Sequence, residues 1–212
     1  MRNRKIIALS GIITLLLAGQ ASTFAQSTQS FPNIAIGLYT LGQTYHISTG
    51  VEMANADPTP LTLDLSGKDV AHVFDALVVR NPGYVWNLRD GVYDLYPGRQ
   101  DGSLSQLSIA NFLLANATRE QAQEALFNLP EVKDWLLRHR ARRNMAGEGS
   151  ALGPGPGGPF PEPKRISLSL SNVELRTILN QLITKFDRPQ WIIGHTMRKE
   201  YGQDVEYISI EP

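Results

Sequence analysis

Two stretches of the chain carry the same pattern of apolar and polar positions. In the first, Leu61, Leu63 and Leu65 alternate with polar residues. Val70, Val73, Phe74, Leu77 and Val78 then follow at i, i+3, i+4, i+7 and i+8. In the second, Ile166, Leu168 and Leu170 alternate, and Leu175, Ile178, Leu179, Leu182 and Ile183 repeat the helical spacing. Period two predicts a half-buried strand, and the second spacing predicts one apolar helix face. Between strand and helix stand Ser66-Gly67-Lys68-Asp69 and Ser171-Asn172-Val173-Glu174, which fit capping boxes. A strand containing tryptophan follows each helix, Tyr84 to Leu88 and Pro189 to Ile193, and each has a partner, Val92 to Tyr96 and Val205 to Ile210. Asp90-Gly91 predicts the tight turn of the first hairpin.

The two stretches keep one register at an offset of 105 positions. Leu63/Leu168, Leu65/Leu170, Ser66/Ser171, Leu77/Leu182 and Trp86/Trp191 are identical, with no gap between them. Chance would not readily hold cap, helix face and tryptophan in phase. The chain therefore reads as two copies of a β-α-β-β unit, by duplication or by convergent selection of one small fold.

The segments ahead of the copies differ. Before the first, Pro32 reads as the first helical residue, Ile34, Leu38, Leu41 and Tyr45 line one helix face, and Ile47 to Met53 reads as a strand. Asp57 to Pro60 reads as a turn. Before the second, Leu107 to Leu114 reads as a strand, Asn116 or Thr118 opens a helix, and Thr118-Arg119-Glu120-Gln121 fits a capping box. That helix breaks at Pro130 and resumes to about Arg143, with Val132, Trp135 and Leu136 inward. The upstream order is thus helix then strand in one copy and strand then helix in the other. Residues 147–163, rich in Gly and Pro, read as a flexible loop. The expected class is α+β, two small sheets each backed by helices, with one unit over 31–98 and the other over 104–212.

The first 25 residues stand apart. Arg2, Arg4 and Lys5 precede an apolar run from Ile6 to Ala18, and Thr23-Phe24-Ala25 offers small residues to a signal peptidase. This predicts a signal peptide, hence export to the periplasm or beyond, with no transmembrane segment after cleavage. Removing the three cations leaves 17 basic against 20 acidic residues, a net charge near −3. That balance does not suit a nucleic-acid binder. The absence of Cys excludes disulfides and thiolate chemistry.

Catalytic patterns are sparse. His46, His72, His139 and His195 hold no metal-binding spacing, no serine sits in a G-x-S-x-G elbow, and no glycine run has phosphate-loop spacing. Glu52 and Asp64 could face each other across a sheet as a carboxylate pair. Trp86 and Trp191, at equivalent strand positions, read as helix-to-sheet locks or as an aromatic platform for a glycan or peptide. The run Arg138-His139-Arg140-Ala141-Arg142-Arg143 exceeds what a helix dipole needs, so Arg138, Arg140, Arg142 and Arg143 are candidates for contact with an acidic partner or an anionic lipid head group.

"SLSLSNVELRTILNQL" (167–182), and more loosely "TLDLSGKDVAHVFDAL" (62–77), resemble the secretin and TonB short N-terminal domain. That family's pattern is an alternating strand, then N-V-x-L-x-x-x-L-x-x-L, then a strand with a buried aromatic. The resemblance covers 31–96 and 165–210. It implies a periplasmic domain that contacts proteins, here without a secretin core or an outer-membrane barrel downstream. The expected function is a non-catalytic protein-interaction module of the bacterial envelope with no cofactor, accessory to a secretion or uptake system. The alternatives are a glycan- or peptidoglycan-binding protein using Trp86 or Trp191, and an envelope hydrolase.

Overall fold

The computed structural model describes residues 28–53, 61–64, 69–98, 102–144 and 162–212. The signal peptide, the Asp57–Pro60 turn, the Ser66-Gly67-Lys68 part of the first capping box, and residues 147–161 of the Gly/Pro loop lie outside them. Among the described residues, no helix is long and apolar enough to cross a membrane.

The chain runs β1 (Thr28–Phe31), α1 (Ile34–Tyr45), β2 (Ser48–Met53), β3 (Leu61–Asp64), α2 (Val70–Arg80), β4 (Tyr84–Arg89) and β5 (Val92–Pro97). After a 3₁₀ turn (Leu104–Gln106) it continues as β6 (Ser108–Ala117), α3 (Arg119–Asn128), α4 (Pro130–Arg138), β7 (Arg142–Arg143), β8 (Ile166–Glu174), α5 (Leu175–Phe186), β9 (Gln190–Glu200) and β10 (Gln203–Glu211). The fold is α+β, and both halves have one element order once α3 and α4 are taken as a single broken helix. The apparent difference in upstream order disappears because β1 precedes α1 and β7 follows α4. Neither strand has an apolar alternation: β1 reads TQSF, and β7 is two arginines.

The helix starts correct three sequence-based expectations. Asn33, not Pro32, opens α1: its side chain accepts the Ile36 N–H at 3.0 Å. Asp69 itself caps α2 by accepting the His72 N–H at 2.9 Å. Before α5 there is no capping box, because β8 runs on through Glu174. There the Leu175 N–H bonds the Leu107 carbonyl at 2.9 Å, so backbone from outside the helix does the work of a cap. Thr118 and Gln121 do form the reciprocal box, and Pro130 sits in the first turn of α4. The Asp90-Gly91 turn has both residues at positive φ, 54° and 78°, as a type I′ hairpin requires.

The sheets expected for the two units are continuous. The central sheet has the order β4-β5-β2-β9-β10-β7, and the units join where β2 pairs in parallel with β9. β4 is antiparallel to β5, and β9 to β10. β5 is parallel to β2, and β10 to β7. Each unit therefore contributes the same three strands in the same lateral order, but the second is inverted end to end. A half-turn about the axis across the strands, with a shift of three strands (roughly 14 Å), relates them. Such a half-turn exchanges the faces of the sheet. Accordingly, α1 and α2 cover one face over Leu38, Leu41, Val51, Phe74, Leu77 and Leu95. The other face is covered by α3, α4 and α5 over Val92, Leu126, Val132, Leu179, Trp191 and Ile193. The first strand of each unit pairs antiparallel with the strand before its second helix, β1 with β3 and β6 with β8.

Candidate functional site

The junction between the units is polar. Glu52, from β2, is 1% exposed. It accepts from the Ser103 hydroxyl at 2.5 Å and from the Leu104 and Ser105 N–H groups at 2.8 and 2.9 Å. His195 of β9 meets it at 3.1 Å through Nε2, and Glu206 of β10 holds the other ring nitrogen at 2.7 Å. Burial alone would raise the Glu52 carboxyl. The bonds from His195, Ser103 and Ser105 more than offset this and hold it below the usual carboxylate range. Burial would lower His195, and its two carboxylate partners raise it above its ordinary value. Ser, His and Glu are all present here, yet the serine bonds the carboxylate and not the imidazole. A nucleophile needs its base within hydrogen-bond reach, so this arrangement is a clamp and not a triad.

A second polar group lies where α5 crosses the first unit's strands. Asn180 donates to Asp94 Oδ2 at 3.1 Å and to the Arg89 carbonyl at 3.2 Å, and accepts from the Trp191 indole N–H at 2.6 Å. Burial pushes the Asp94 carboxyl up to about 7, against the opposing effects of Asn180, Arg176 and Arg89, and its Oδ1 has no hydrogen-bond partner. Alongside, Arg89 and Arg176 both bond Glu174, at 2.5 and 2.7 Å, and Arg176 also lies over the Tyr96 ring.

The residues singled out from sequence fall in different places. Trp191 is fully buried. Trp86 is half-buried against Phe74 and Tyr93, on the opposite face of the sheet. The half-turn separates them, so they form no paired platform. Each is a lock between helix and sheet: the Trp86 indole donates to Asp75, and Trp191 to Asn180, which is the equivalent helix position. The basic run also divides. Arg138 and Arg140 are exposed. Arg142 pairs with Glu200 at 2.7 Å, and Arg143 pairs with Glu124 at 2.5 Å and lies over Phe127. Glu52 does not face Asp64, because β2 lies between β5 and β9 while β3 pairs with β1. His46 ends α1 in the left-handed conformation, His72 bonds Asp69, and His139 stacks on Trp135 with centroids 4.0 Å apart. Arg138, Trp135 and His139 line a cleft of about 480 Å³ beside Ser103, whose hydroxyl is turned away to Glu52.

One surface carries exposed apolar groups. Among the described residues β4 ends the sheet and pairs only with β5. The Gly98 N–H bonds the Gly83 carbonyl at 2.8 Å. Counting the antiparallel ladder from that pair turns the backbone groups of Trp86 and Leu88 outward, to the open side. Leu88 is 55% exposed, while its equivalent in β9, Ile193, is 0% exposed beside β2. Val85 is exposed as well. The opposite edge is β7, two residues long and built of arginine, a charge that discourages strand pairing. Local pattern does not identify which strand supplies the open edge. β9 and β4 are equivalent in the repeat, and it is the structure that places β2 beside one of them and not the other.

No protein-family model, curated protein or solved structure matches this chain.

Proposed function

We propose that the chain is a non-catalytic protein-interaction module of the bacterial envelope, acting in the periplasm or outside the cell by accepting a strand of a partner protein along β4. The observation that carries this is the contrast between Leu88 and Ile193, the same position of the same unit, exposed at an open edge in one copy and, in the other, buried in the core beside β2. An open edge presents unpaired N–H and C=O groups, and an added strand completes them while burying the side chains on either side. The signal-like N-terminus supports the compartment. The resemblance to the secretin and TonB short N-terminal domain supports contact with proteins. Arg138 and Arg140 remain exposed to steer an acidic partner.

The test uses the mature chain, residues 26–212, and its Leu88→Lys variant, immobilised in parallel and exposed to envelope extract. Both must show the same circular dichroism. A specific protein, recovered by the parent, depleted about tenfold by the variant and cross-linked to β4, is the expected result. A partner captured equally by both variants would overturn the reading. So would hydrolysis of peptidoglycan by the purified chain, abolished by substitution of one side chain.

A further inference from the structure

We infer that the strand accepted by β4 runs parallel to it and places a glycine opposite Trp86, with an apolar residue two positions further on against Leu88. This rests on the reading of β4 as the partner edge and goes on to name the partner's direction and part of its sequence.

The template is inside the chain. β9 is the β4 of the second unit, and its neighbour is known: β2 lies parallel to it, with Thr49, Gly50, Val51, Glu52 and Met53 opposite Gln190, Trp191, Ile192, Ile193 and Gly194. Gly50 is there for a steric reason. A Cβ on it would come within 2.1 Å of the Trp191 indole, far inside van der Waals contact. The indole lies over the neighbouring strand because its N–H is tied to Asn180 on the helix behind. Trp86 is tied in the same way, at 2.9 Å, to Asp75 on α2. The offset of 105 positions that relates Trp86 to Trp191 also relates Asp75 to Asn180. Both indoles donate to the same helix position; Trp86 also packs on Phe74 and Tyr93, and a strand that takes the place of β2 beside β4 is inferred to meet its ring as Gly50 meets that of Trp191.

The second requirement follows from the next outward-facing residue. In the template Glu52 stands opposite Ile193, and His195 meets the carboxylate at 3.1 Å. At the position equivalent to His195 the first unit has Asp90. A carboxylate beside β4 would lack the imidazole that holds Glu52, since Asp90 stands in the hairpin turn, and Leu88 offers it no hydrogen bond. An apolar side chain there covers Leu88 as β2 helps to cover Ile193.

The experiment uses the mature chain and the capped peptide ISTGVLMA, which is residues 47–54 with leucine in place of Glu52. Binding is read by tryptophan fluorescence and by amide resonances. Four results are expected. The peptide saturates the site, with a spin label on its N-terminus broadening Gly83 and one on its C-terminus broadening Arg89. Replacing its glycine with valine weakens binding at least about tenfold. The Trp86→Ala variant restores binding of the valine peptide, because the obstruction is gone. Leu88→Lys abolishes binding of both.

The inference is overturned by the reverse pattern of broadening, by equal binding of glycine and valine peptides, or by no binding. It is also overturned by binding that Leu88→Lys leaves intact, since the peptide would then be displacing β2 from β9. An envelope partner whose capture depends on Leu88 but whose strand lies antiparallel removes this inference and leaves the functional reading standing. Capture independent of Leu88 removes that reading.

Discussion

Gly50 and Trp191 are packed so closely across the repeat junction that the glycine has no room for a methyl group. Gly50→Ala should therefore cost about 1–3 kcal/mol by overpacking. Trp191→Leu in the same chain should return part of that loss, because the smaller side chain vacates the space. Urea melts of the two single variants and the double variant check the coupling. Additive effects would mean that the contact does not set the cost.

Glu52 and His195 make the junction sensitive to pH. The folded-state pKa of Glu52 is lowered, so its contribution is present above the ordinary value of 4.5 and is lost as pH falls below it. That of His195 is raised, so its contribution is complete below 6.5 and is lost as pH rises through the higher folded-state value. The clamp is strongest between these limits. Glu52→Gln should cost about 3 kcal/mol near pH 5.5 and less on either side. The measurement is the difference in stability between parent and variant across pH 4 to 9, and a flat difference would contradict it.

Asp94 acts in the opposite sense. Its carboxyl is protonated more readily in the folded protein, at about 7 against an ordinary 3.8. Folding stability contributed by this group falls as pH rises between those values and stays low above them. Asp94→Asn keeps an acceptor for Asn180 and removes the buried charge. It should gain about 1–3 kcal/mol at pH 8 and nothing at pH 3, as read by thermal melts.

Phe74 and Leu179 occupy the same position in the two units, and both are fully buried. Each truncation to Ala should cost about 2–5 kcal/mol. Because the units share one sheet and the junction is buried, both variants should still unfold in a single transition. Two separate transitions would show that the units melt independently.

The arginines should separate in effect. Arg138→Gln with Arg140→Gln should leave the melting temperature unchanged and slow association with an acidic partner at low salt. Arg143→Gln loses the pair with Glu124 and the stacking over Phe127, and should cost about 1 kcal/mol. Calorimetry on the two variants distinguishes them, and equal losses would restore the basic run as one surface.

The amino-acid sequence by itself determined the repeat, its strand–helix–hairpin order, the Asp90-Gly91 turn, the Thr118 box and the break at Pro130. All of these are written in local patterns, where period, cap and turn chemistry act within a few residues. Helix starts were legible where a local residue marks them, as Thr118 and Pro130 do. At α5 the N–H of Leu175 is satisfied by Leu107, 68 positions away, and no local pattern records that. β1 and β7 were invisible because their pairing partners make them strands, not their own side chains.

Only the tertiary structure decided how the units join. A half-turn about the cross-strand axis sends Trp86 and Trp191 to opposite faces, makes β2 the seam, and buries Glu52, Asp94 and His195 between copies. It also leaves Leu88 bare, while packing within the second unit draws Arg142 and Arg143 into ion pairs with Glu200 and Glu124. The repeat pattern states what each unit is, and it reads identically whichever edge meets which. Edge pairing is made by backbone groups that every residue carries, so the choice of seam rests on contacts between residues far apart in the chain, such as Gly50 beneath Trp191.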